Sequence, residues 1–267
     1  MRRRDFITLV GGVAAATLPN TVSAQQPEQV RRVGVLMNRA TDEPEDLAYL
    51  AAFRQALQKL GWPEGRLQID YRWASGDADL VRKYAAELVA LAPDVILAAG
   101  SPSVAALQRV TRSLPIVFVR VSDPVGGGLV DSLARPGGNV TGFMQFEYSF
   151  GGKWLELLKQ IAPQVTRAAV LRNSENRAGT GEFAAIQSAA QPLNVELRPI
   201  DTRDASEIER SVEAFARFLN GGLIVAPSAT TGGNRNLIIT LAARHKLPAG
   251  LRRSLRGRGR RLDLLRG

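Results

Sequence analysis

The sequence predicts an α/β protein made of two lobes, each built on a parallel sheet. Three observations predict it. Short β-rich runs alternate with longer helical patterns from Arg31 to His245, the order that yields parallel strands joined by crossover helices. The alternation breaks near 143–150, where Gly142, Gly151 and Gly152 bracket a polar-aromatic stretch, and then restarts. The length of 267 residues is enough for one large domain or two small ones at ~100–200 residues each.

The elements follow in order. RRVGVLMNRA (31–40) is a buried-strand run ending in polar residues. Leu47, Leu50, Phe53, Leu57 and Leu60 stand at helical spacing over 46–60, with Gly61 as a natural stop. LQIDYRW (67–73) alternates like a strand. A helix over 78–91 shows Leu80, Tyr84, Leu88 and Leu91 on one face and ends before Pro93. DVILAAG (94–100), PIVFVRVSDP (115–124) and NVTGFM (139–144) read as strands, with a helix over 102–110 after the first of them. In the second half, helices over 150–161, 181–191, 205–218 and 234–245 alternate with strands over 167–173, 195–201 and 221–228. About five strands thus precede position 145 and at least three follow it.

The two ends read differently from the body. MRRRDFITLVGGVAAATLPNTVSAQQ has a basic start, an apolar run over 6–18 and small residues at Val22-Ser23-Ala24, the three parts of a removable export signal cleaved after Ala24. The apolar run is shorter than the roughly 20 residues that span a bilayer. Arg3-Arg4-Asp5-Phe6-Ile7 resembles the twin-arginine motif. At the other end, LRRSLRGRGRRLDLLRG carries seven arginines, no aromatic and no β-branched residue. It neither continues the alternation nor caps it, and it reads as a frame-shifted end or a basic tail, the first being favoured.

These ends also explain the charge. The formal net charge is +10, of which three arginines and Asp5 contribute +2 at the front, and seven arginines and Asp263 contribute +6 at the back. The body over 27–250 holds only +2, which offers no broad basic face for nucleic acid. With no cysteine and a single histidine, His245, the sequence predicts no disulfide framework, no thiolate nucleophile, no metal site and no cofactor. It has no nucleophile elbow and no phosphate-binding glycine loop, so no enzyme activity is expected.

Candidate site residues come from one rule: in parallel α/β sheets, ligands bind at the carboxyl ends of strands. There the chain places Asn38 and Arg39, Gly100 to Ser103, and Ser122-Asp123-Pro124 in the first half. In the second half it places Arg172-Asn173-Ser174, Asp201 and Ala226-Pro227-Ser228. Ser101 and Ser103 open a helix, where hydroxyls cap free N–H groups that also favour an anion such as a carboxylate. Asp123, before Pro124 and three glycines, is a partner for a solute amino group or an Asx turn former. Phe143, Phe146 and Tyr148 near the crossover offer stacking surface or interlobe packing.

Four segments are similar to one known family: RRVGVLMN, the run from AFRQALQKLGWPEGRLQIDYRW to GSPSVAAL, PIVFVRVSDPVGGGLVDSLARPGGNVTG, and KWLELLKQIAPQVTRAAVLRN. They resemble the ABC-transporter substrate-binding proteins related to tryptophan- and tyrosine-binding receptors, with the periplasmic binding protein type I fold of two Rossmann-like lobes. The resemblance covers about 31–249, and it implies a periplasmic receptor that captures a small polar solute and delivers it to a membrane permease. The chain is expected to divide into a signal over 1–24, lobe 1 over 28–143, lobe 2 over 144–249 and a tail over 250–267, and because family members carry on beyond this end the resemblance implies that lobe 2 is incomplete. The ligand-binding residues are expected to be Asn38, Ser101, Ser103, Ser122, Asp123, Asn173 and Ser228. Without a lipobox cysteine the mature chain is expected to be free of the membrane. A ligand-sensing domain feeding a signalling partner, or a non-functional truncated product, is the alternative.

Overall fold

A computed structural model describes residues 30–41, 44–252 and 262–265. The signal segment 1–24 and most of the arginine-rich end lie outside the described residues. The first half alternates β1 (Arg31–Met37), α1 (Pro44–Lys59), β2 (Leu67–Trp73), α2 (Ala78–Ala90), β3 (Val95–Ala99), α3 (Ser101–Val110), β4 (Ile116–Val121) and β5 (Val140–Met144). The second half alternates α4 (Phe150–Ile161), β6 (Arg167–Arg172), α5 (Arg177–Ala190), β7 (Glu196–Asp201), α6 (Ala205–Ala216), β8 (Gly221–Val225), α7 (Ala229–Gly233), α8 (Arg235–Arg244), β9 (Ala249–Arg252) and β10 (Leu262–Leu265).

The strands form two five-stranded sheets, ordered β2-β1-β3-β4-β5 and β10-β9-β8-β6-β7. All pairs are parallel except β9 with β10. Each sheet repeats the same winding, and the strand order reverses between β1 and β3 in one lobe and between β6 and β8 in the other. In parallel α/β sheets such a reversal opens a crevice at the carboxyl ends of the strands.

Strand alternation decides which face each side chain meets. In β1, Leu36 packs with Leu88, Ile96 and Leu107 on one face, while Val33, Val35 and Met37 pack with Leu50 on the other. In β6, Ala169 and Leu171 join the core with α6 and α8, and Ala168 and Val170 join the core with α4 and α5. Pro199 removes an N–H donor from β7, and β7 is the edge of its sheet, where that loss is tolerated.

Three expectations need correction. The arginine-rich end, expected neither to continue nor to cap the alternation, begins as a strand: Ala249 and Gly250 pair parallel with β8, and 262–265 pair back on 249–252. Ladder bonds come from the main chain, so they need neither aromatic nor β-branched residues. The single helix expected over 234–245 is preceded by a separate short helix, α7, closed by a capping box between Ser228 and Thr231. The helix expected from 181 starts at Arg177, capped by the Asn176 side chain on Ala178 N–H. In α1 the apolar stripe is partly exposed, with Leu47 at 49%, and the buried residue of that helix is Asp46.

Candidate functional site: a cleft between the lobes

The carboxyl ends of β1, β3, β4 and β5 face the α5 and α7 ends of the second lobe across one cleft. The space between them has a volume of about 160 Å³. Lobe 1 contributes Asn38, Arg39, Glu45, Tyr49, Gly100, Ser101, Arg120, Ser122 and Gln145; lobe 2 contributes Asn176, Pro227, Ser228, Thr231, Gly232 and Arg235.

The lobes touch on both sides of this space. Arg177 Nη1 donates to Gly127 O at 3.2 Å. Gly232 of α7 lies so close to the Arg39 guanidinium that a Cβ there would collide with it. At Gly76, an added Cβ would stand 3.1 Å from Ala229 Cβ.

Four of the seven expected site residues meet at the cleft: Asn38, Ser101, Ser122 and Ser228. The Asn38 Oδ1 atom is buried and has no hydrogen-bond partner among the described residues. Buried acceptors in native proteins are nearly always satisfied, so its position on the cleft wall suits a donor from a solute. Ser101 stands at the first turn of α3, whose cap is Gly100 with no side-chain hydrogen bond. Ser228 lines the space, but its Oγ accepts from Thr231 N–H at 3.1 Å.

Ser103, Asp123 and Asn173 are not brought to the cleft wall. α3 begins at Ser101, one residue earlier than expected, and Ser103 lies on its buried face. It is fully buried, and its Oγ donates to Ala99 O at 3.0 Å. Neither serine caps the helix. Asp123 builds its own turn, with Oδ1 accepting from Gly126 N–H at 2.7 Å and Oδ2 from Tyr148 N–H at 3.3 Å. Asn173 Oδ1 accepts from Glu175 N–H at 3.0 Å, a local turn of the same kind.

The aromatics near the crossover also lie off the cleft. Phe143 is 74% exposed, and Phe146 packs edge-on against Trp154 with centroids 5.5 Å apart. Tyr148 lies against the backbone of Gly181. Its phenol is pushed up to about 12, first by burial, then by the negative charges of Asp123 and Glu182, with Arg177 pulling the other way. The ring that does line the cleft is Tyr49, which donates to Glu45 Oε1 at 2.8 Å.

The charged residues Glu45, Arg120 and Arg235 were absent from the expected set. Arg120 is the extra residue of a bulge, since Val119 pairs with Phe143 and Val121 with Met144. Its φ is +58°. No alternation pattern announces such a bulge. Among the described residues, no three His, Asp or Glu side chains gather as a metal-ligand set, and no helix is long and apolar enough to cross a membrane.

Comparison with known proteins agrees with this geometry. The chain is 30% identical over 164 residues to a tyrosine-binding protein of Clostridioides difficile, covering 61% of this chain and 47% of that protein. It therefore spans about half the length of that relative. The fold matches an ABC domain from Streptococcus pneumonia in complex with L-Trp, with a TM-score of 0.73 and 23% identity over 82% of this chain and 73% of the other. It matches a conserved domain protein from Vibrio cholerae with a TM-score of 0.75 and 26% identity over 83% and 73%. The model of the ABC transporter substrate binding protein family matches residues 37–250. With that match over most of its length, the chain belongs to the ABC transporter substrate binding protein family.

Proposed function

We infer that the chain captures a small carboxylate-bearing solute of amino-acid type between its lobes and hands it to the permease of an ABC uptake transporter. The observation that carries this reading is the convergence of Asn38, Ser101 and Ser122 from lobe 1 with α7 of lobe 2 around one cleft. Its volume of about 160 Å³ is below the ~300–1,000 Å³ of pockets for drug-sized ligands, which suits a small solute. The uncapped start of α3 supplies N–H donors and a positive helix end to an anion. Asn38 Oδ1 supplies an acceptor for an ammonium group. The similarity to the tyrosine-binding protein of Clostridioides difficile supports an amino-acid ligand.

On the same reading, lobe 1 spans 28–143 and lobe 2 spans 144–249. The mature chain works in the periplasm after export by the twin-arginine route, and residues 250–267 are a replaced or basic end. Thermal melting of the purified mature chain with L-tyrosine, L-tryptophan, L-leucine or benzoate tests the central claim. A ligand at 100 times its Kd adds about 2.7 kcal/mol, which raises the melting temperature by roughly 5–10 °C at this size. A flat response to all four compounds sinks the reading.

A further inference from the structure

Asp46 is the one residue of α1 that is fully buried, and it is a carboxylate. Its Oδ2 lies 2.8 Å from Arg39 Nε, and its Oδ1 accepts from Arg120 Nη1. Three separate segments therefore meet on this side chain: the first turn of α1, the end of β1 and the bulge of β4. Withdrawing a carboxylate from water costs several kcal/mol, and a buried ion pair is often no more stable than an apolar replacement. Arg120 adds a second cost, since a side-chain-bearing residue at φ +58° sits in a sparsely populated region worth about 1–3 kcal/mol. Both costs fall at the wall of the cleft, and strain of this kind concentrates where geometry is used.

We propose that Asp46 is a positioning residue for solute recognition: it fixes the guanidinium planes of Arg39 and Arg120, and those two arginines bind the solute carboxylate. This rests on the reading of the cleft as a carboxylate site. Both arginines line the space. A guanidinium carries five N–H donors in a rigid fork, so it can hold Asp46 on one side and a ligand carboxylate on another. Tyr49 supports Arg120 from below, with Cζ 5.4 Å from the ring centroid. Gly232 lets α7 close directly over Arg39, which brings the two lobes together at the anion. Asp46 does not touch the solute; it acts through the orientation of the two forks.

The test is calorimetric titration of the mature chain with L-tyrosine and benzoate, and with L-tyrosinamide and benzamide, which lack the carboxylate. The wild type is expected to prefer the carboxylates by about tenfold or more, as charged hydrogen bonds imply. Asp46→Asn should cut that preference to under about threefold, and Asp46→Glu should recover part of it. Arg120→Lys keeps the charge but loses the fork. It should weaken carboxylate binding about tenfold while leaving the amides within about twofold. If Asp46→Asn melts before titration, Arg120→Lys decides alone. An unchanged preference, or an equal loss for acid and amide, overturns the proposal. Failure of the wild type to bind any of the carboxylates overturns it together with the receptor reading.

Discussion

Tyr148 sits where the chain leaves the first sheet, and its phenol ionises only at about 12 in the folded protein, against an ordinary 10.0. The folded value is raised, so its contribution to stability is fully present below pH 10 and is lost as pH rises toward 12. Ultraviolet titration of the native protein should show one of its four tyrosines ionising last. Tyr148→Phe should flatten the fall in stability across the same window. Four tyrosines ionising together near 10 would refute the burial argument. At this scale, the places of Asn38, Ser101, Ser122 and Ser228 on the cleft wall were legible because strand ends in parallel sheets mark a crevice. Ser103 was misplaced because it falls on the buried face of α3. Asp46 was illegible because its burial depends on Arg120, 74 residues away, and on a bulge that the period-two pattern of VFVRV hides.

Among elements, β5 depends on one glycine. Gly142 has a φ of +156°, and a Cβ there would lie 2.6 Å from Phe118 N and closer still to Phe118 O. The clash is with the backbone of the neighbouring strand, which cannot move without breaking its ladder. Gly142→Ala should therefore cost more than about 3 kcal/mol, read as a lower urea midpoint; an unchanged midpoint would refute it. Most elements were legible from hydrophobic period, since the body alternates short apolar strand runs with helices that bury an apolar face. What escaped was punctuation inside polar stretches: the capping box that closes α7, the Asn176 cap that starts α5 early, and backbone-only pairing past Gly250.

For the whole molecule, one polar link between the lobes runs from Arg177 to Gly127 O. Arg177→Ala removes the 3.2 Å bond to Gly127 O, and because it lies outside the cleft lining it should act on closure rather than on contact. The expected result is a several-fold higher Kd for the best ligand of the thermal panel, as one lost hydrogen bond of about 1 kcal/mol implies, with the ligand-free melting temperature within about 2 °C. An unchanged Kd would show that this link does not hold the lobes. The two-lobed plan itself was legible because the alternation restarts near 143–150, whereas no local pattern reports how the lobes meet.

The strand order has a further consequence. The first sheet takes all five of its strands from residues before Gln145 and borrows none from the second. A chain made from its amino end thus completes the hydrogen-bond ladder that carries Asn38, Ser101 and the Asp46 pairings before β6 has been synthesised, and the second wall then forms against a finished one.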